Sequence, residues 1–164
     1  MFLMKTIRVL ALLSASWGVM NAAHAQVVRV EDAWARATVP GQTAGGAFMK
    51  LTAPSGARLG AVSSPAAGAA EIHEMVLQDN VMRMRPLAGL ELPPGRTVEL
   101  KPGGLHVMLL ELKAPLVAGS TLPLELQVRD TGGKLSRVAV QVPVRALGAP
   151  TAPAPSGSGM KHGH

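Results

Sequence analysis

Cysteine is absent from all 164 residues, and that absence removes several functions at once. Without thiols there is no disulfide framework. A thioredoxin-like redox pair and a blue-copper electron-transfer centre are excluded too, because each needs a Cys sulfur. Aromatic residues make up only 2%, so a core must be built from Val, Leu, Ala and Met. The net charge is +6, yet no Lys/Arg-rich run or set of interleaved aromatics accompanies it. A nucleic-acid surface is therefore not expected, and a mildly basic exterior suffices. Ser/His/Asp and paired-carboxylate constellations are missing, as are the oxygen clusters that calcium or magnesium requires. The chain reads as a binding protein rather than an enzyme.

Long apolar runs are also scarce. The longest, Val9 to Met20, follows a short segment carrying Lys5 and Arg8 and precedes Ala23-His24-Ala25. Basic start, apolar stretch and small-x-small site in that order are a Sec-type signal peptide. The run is too short to span a bilayer, which takes about 20 residues, and no second one follows. Residues 1–25 are expected to be removed, leaving a mature chain that starts at Gln26 in the periplasm with no membrane span. Losing two bases and no acids lowers the net charge from +6 to +4.

What is present is turn chemistry. Gly 18 and Pro 13 suit many short strands rather than helices. Strands are expected over 27–38, 44–51, 58–62, 70–77, 81–85, 97–100, 105–112, 122–129 and 135–144, with 92–96 as a turn region and Pro86 ending its strand. About eight or nine evenly spaced strands predict an all-β antiparallel sandwich or barrel over residues 26–146. From Leu147 the composition shifts to Ala, Pro, Ser and Gly, which predicts a disordered tail over 147–164.

The chemistry lies in the placement of Met and His. Met is ordinarily adaptable core filling, and Met49 and Trp34 fit packing roles. But Met75, Met82, Met84 and Met108 fall beside His73 and His106. Residues two apart in a strand share a face, so His73 sits with Met75, Met82 with Met84, and His106 with Met108. A hairpin around Gln78-Asp79-Asn80 brings the first two pairs together. A turn at Gln78-Asp79 sets His73 opposite Met84; one at Asp79-Asn80 sets Met75 opposite Met84. Either way the four share a face. Glu74, Arg83 and Arg85 alternate to the other side, and the arginines are most simply solvated. Two imidazoles and two thioethers favour Cu(I), because thioether sulfur is soft. Ag(I) would mimic it, and zinc would prefer thiolates or carboxylates beside His.

The spacing His73-x10-Met84-x21-His106-x-Met108, with EIHEM at 71–75, VMRMRPL at 81–87, LPPGRTVELKPGG at 92–104 and DAWARATVPGQTAGGAFM at 32–49, resembles the periplasmic copper chaperones called PCu(A)C. The resemblance covers most of the mature domain. It implies a cupredoxin-like, Greek-key β-barrel binding Cu(I) near its surface, with His73, Met84, His106 and Met108 as metal ligands and Met75 and Met82 as supporting or reserve thioethers. It also implies delivery of copper to a respiratory oxidase subunit, at the CuA centre of cytochrome c oxidase, or to another copper chaperone; the protein is expected to be a monomer. A periplasmic copper buffer or resistance protein without a dedicated client has the same sequence signature. The terminal Met160, His162 and His164 are read either as incidental or as a second, weaker site that captures Cu(II).

Overall fold

The computed structural model describes residues 27–148. The expected signal peptide, most of the expected tail, and Met160, His162 and His164 lie outside the described residues.

Alternation of apolar and polar residues builds ten strands. They are β1 (Arg29–Arg36), β2 (Gly45–Thr52), β3 (Ala57–Ser63), β4 (Ala67–Gln78), β5 (Val81–Leu87), β6 (Leu90–Leu92), β7 (Thr97–Leu100), β8 (His106–Leu112), β9 (Thr121–Asp130) and β10 (Leu135–Arg145). In β9, Leu122, Leu124, Leu126 and Val128 are buried while the residues between them are not. This is the signature of a strand with one face on the core.

Seven strands close into a barrel in the order β4-β8-β2-β1-β10-β9-β3, and Val62 opposite Ala70 joins β3 back to β4. Closure leaves the seven-strand ring itself without free edges. β5, β6 and β7 attach outside this ring, to β4, β3 and β2 respectively. The core holds Met49, Leu51, Leu59, Leu109, Leu126 and Val142 among its fully buried side chains. This is the aliphatic and Met core that a chain poor in aromatics requires.

Three details depart from the sequence-based expectation. β6 is an additional strand of three residues, too short for alternation to register, held by Ala57 opposite Leu92 and Leu59 opposite Leu90. One pairing is parallel: β1 meets β10 with Ala35 opposite Val144. Pro86 does not end β5, which runs on to Leu87 with Pro86 opposite His73. β5 lies at the edge of the sheet, where a residue without an N–H is tolerated if its nitrogen faces outward.

β4 does most to position the site. Its first half lies in the barrel wall between β3 and β8. Gly68 there lies against the Glu111 side chain so closely that an added Cβ would collide with it. Past His73, β4 leaves the barrel and pairs with β5 alone among regular strands, as an overhanging hairpin.

Candidate metal centre

The hairpin register follows from its turn. Asp79 and Asn80 both adopt positive φ, 51° and 58°, as a two-residue turn of the type that matches strand twist demands. Asp and Asn tolerate that left-handed conformation better than other non-glycine residues. Gln78 therefore faces Val81, Leu77 faces Met82, Met75 faces Met84 and His73 faces Pro86. Of the two registers open in the sequence, this is the Asp79-Asn80 one.

The Met75 N–H donates to Gly104 O at 3.3 Å, away from β5. Met75 and Met84 thus form a non-hydrogen-bonded pair, in which opposed Cα atoms approach to about 4.5 Å and side chains lie closest. Pairs alternate, so Leu77–Met82 and His73–Pro86 are of the same kind. That places the Pro86 nitrogen on the outer edge, where it forfeits no ladder bond.

β8 supplies the other half. His73 lies directly opposite His106, and Glu71 opposite Met108. On the far side of β8, Gly46 of β2 lies opposite Met108. Val107 and Ile72 point into the core. The alternating residues His73, Met75, His106 and Met108 therefore stand on the outer wall. An aromatic row crosses four strands there. Ring centroids are 4.5 Å apart for Trp34–Phe48, 6.4 Å for Phe48–His106 and 5.9 Å for His73–His106. The row buries His106, which is only 6% exposed.

Each imidazole is anchored through one nitrogen. The His106 Nδ1–H donates to the Gly104 carbonyl at 2.9 Å, because a carbonyl can only accept. This leaves the lone pair on Nε2. The His73 Nε2–H donates to Glu71 Oε2 at 2.8 Å, which leaves Nδ1 as the acceptor. That Nδ1 is buried and has no hydrogen-bond partner. Buried polar atoms are nearly always satisfied, so a single orphan beside a second imidazole marks a place for an electrophile. A His whose other nitrogen donates to a carboxylate or a carbonyl is the usual form of a metal-binding His.

Met75, Met84, Met108 and His106 line one open cleft of about 370 Å³, with Phe48 and Arg36 among its other walls. His73 lies behind this lining, next to His106. The structure thus brings His73, Met84, His106 and Met108 to one region of the outer wall, and Met75 joins them. Met82 lies further out, half exposed. Among the described residues no group of three His, Cys, Asp or Glu side chains is placed to hold a metal ion; the donors gathered here include the Met75, Met84 and Met108 thioethers.

Glu71 is the site residue that sequence reasoning missed. The rule that joined Met75 to His73 applies equally to the residue two positions earlier. Glu74 does face the other way, as expected. There it pairs with Arg85 at 2.8 Å, and Arg85 stays exposed to solvent as expected.

Fold and cleft together define a small all-β barrel domain with an outward-facing His/Met donor group. The chain belongs to the LpqE-like family, whose description is "Putative lipoprotein LpqE-like" and which matches residues 28–144. A curated relative from Leifsonia xyli subsp. xyli (strain CTCB07), "Putative lipoprotein Lxx21020", is 38% identical over 120 residues, covering 73% of this chain and 71% of the relative.

Among solved structures, the apo PCuAC domain from PmoF1 is 26% identical with a TM-score of 0.60, covering 74% of this chain and 95% of that domain. Apo-DR1885 from Deinococcus radiodurans is 26% identical with a TM-score of 0.53, covering 88% and 97%. The copper-bound PCuAC domain from PmoF2, at 24% identity and a TM-score of 0.60 over 74% and 94% of the chains, shares the fold. The barrel is thus of the cupredoxin-like PCuAC type.

Proposed function

We propose that this chain is an exported copper chaperone that holds one Cu(I) between His73, Met84, His106 and Met108 and passes it on. The observation that carries the reading is the pair of imidazoles 5.9 Å apart, each anchored at one nitrogen and unpartnered at the other, beside a cleft lined by Met84 and Met108. Neutral nitrogen and thioether donors suit a soft monovalent ion. His73 would bind through Nδ1 and His106 through Nε2.

Copper here is cargo. Four ligands fill a Cu(I) ion and leave no open position for a substrate, so transfer rather than turnover is the expected chemistry. Met84 is 47% exposed and is the ligand an incoming Cys or Met of a partner can displace first. The ion then moves through a shared-ligand intermediate to whichever site binds it more tightly. The client is proposed to be a copper-accepting oxidase subunit, at the CuA centre of cytochrome c oxidase, or another copper chaperone. The protein acts as a monomer in the periplasm after loss of residues 1–25. The terminal Met160, His162 and His164 would capture Cu(II) on a separate, weaker site. Truncation after Ala146 should then lower the Cu(II) stoichiometry, and an unchanged stoichiometry overturns that part.

Cu(I) titration of the parent beside His73→Ala and Met108→Ala tests the main reading. One tight site is expected in the parent, with a large loss in each variant. In cells, deletion should lower oxidase activity, with rescue by added copper. Intact oxidase with heightened copper sensitivity would identify a buffer instead.

A further inference from the structure

Met84 does not stand alone on its face of the overhanging hairpin. Met75 lies directly opposite it, and Met82 lies two residues along the same strand on the same side. All three belong to non-hydrogen-bonded pairs or their immediate diagonal, where side chains across two strands lie within reach of one another. Met82 is 50% exposed, an unusual setting for so apolar a side chain. Glu74, Arg83 and Arg85 all sit on the reverse, two of them paired with each other, while Leu77, opposite Met82, shares the Met face. Beyond His73 the hairpin thus presents three polarizable thioethers beside the aliphatic Leu77, with no charged residue of the hairpin among them; Arg36 lines the cleft next to Met75 and Met84. Unbranched Met side chains are flexible enough to converge on one point.

We propose that Met75, Met82 and Met84 form an outer, three-thioether position for Cu(I), distinct from the inner His/Met site and sharing Met84 with it. This rests on the reading of His73, Met84, His106 and Met108 as the inner site. Thioether sulfur selects Cu(I), and without the two imidazoles the outer position is the weaker of the two. An arriving ion is caught at the exposed Met82. It then moves inward by stepwise ligand exchange, releasing Met82 and Met75 and gaining His73, His106 and Met108, while Met84 stays bound throughout. No electron moves and the ion remains monovalent.

Met82→Leu separates this role from packing or docking, because Leu keeps the apolar volume and removes only the sulfur. Two measurements test the proposal. In the first, Ag(I) is titrated into protein labelled at its Met methyl groups, with the inner site disabled by His73→Gln and Met108→Leu. The Met82 and Met75 methyl resonances are expected to shift, and adding Met82→Leu should abolish the Met75 shift. In the second, the otherwise intact protein takes Cu(I) from its bicinchoninate complex in a stopped-flow experiment. Met82→Leu should slow loading while leaving the final affinity at the parent value. A motionless Met82 methyl in the disabled variant, or loading of Met82→Leu at parental speed, overturns the outer position. Failure of the inner reading shows separately, as His73 and His106 imidazole resonances that ignore the first equivalent of Ag(I) in the intact protein; this removes the destination and the proposal with it.

Discussion

The Nε2–H of His73 donates to Glu71 Oε2 at 2.8 Å, and the same ring leaves a buried Nδ1 with no partner. One carboxylate two residues away thus fixes both the orientation of the imidazole and the nitrogen it can offer. Partners of this kind typically change metal affinity about ten- to a hundredfold when removed. Glu71→Ala should weaken Cu(I) binding by that order in a chelator competition, and Glu71→Gln, whose amide oxygen can still accept, by less. Parental affinity in Glu71→Ala would show that the hydrogen bond does not prepare the ring.

Met84 and Met49 separate binding from stability. Met84 is 47% exposed and Met49 is 2% exposed. Met84→Ala should change folding stability by no more than about 0.5 kcal/mol, as exposed substitutions do, yet abolish tight Cu(I) binding. Met49→Ala should cost about 2–5 kcal/mol in denaturant unfolding while the folded protein still takes up one Cu(I). If both variants fail on the same axis, Met84 serves the core and the site assignment is wrong.

The turn at Asp79-Asn80 sets the register that places Met84 over Met75. A β-branched residue is poorly tolerated in the left-handed region, at roughly 1–2 kcal/mol. Asn80→Val should therefore lower the melting temperature and weaken Cu(I) binding together, whereas Asn80→Gly should preserve both. A Val variant with unaltered affinity would mean that the hairpin register is fixed elsewhere.

Peroxide supplies a reagent that reads exposure and ligation at once. Oxidation converts a thioether to a sulfoxide and so removes the soft donor. In the apo protein Met82 and Met84 should be modified well before Met49, as followed by peptide mass spectrometry. Bound Ag(I), which does not enter the one-electron reaction of Cu(I) with peroxide, should protect Met84 and Met108. Equal rates for Met84 with and without metal would contradict its role as a ligand.

Much of this site was legible because strand geometry obeys a simple rule. Residues two apart share a face, so His73 with Met75 and His106 with Met108 could be paired from sequence alone. Glu71 obeys the same rule, but nothing in the sequence distinguishes a carboxylate that supports an imidazole from one that is merely solvated. The register was open because Gln78-Asp79 and Asp79-Asn80 are both plausible turns; the positive φ of Asp79 and Asn80 decides it. Phe48 against His106 had no local signal, since β2 and β8 are far apart in the chain and meet only through barrel closure. The parallel β1–β10 pairing is hidden for the same reason, and β6 is shorter than any alternation can reveal. Pro86 misled because its effect depends on which edge its nitrogen faces.

The donor groups stand on the outside of the barrel wall, with Ile72 and Val107 on its inner side filling a core that owes nothing to them. In small zinc-binding domains the ion is itself the scaffold, and removing it unfolds the chain. On the proposed reading, cargo and architecture are decoupled: surrendering the ion would carry no refolding penalty, so one molecule could make the same journey repeatedly.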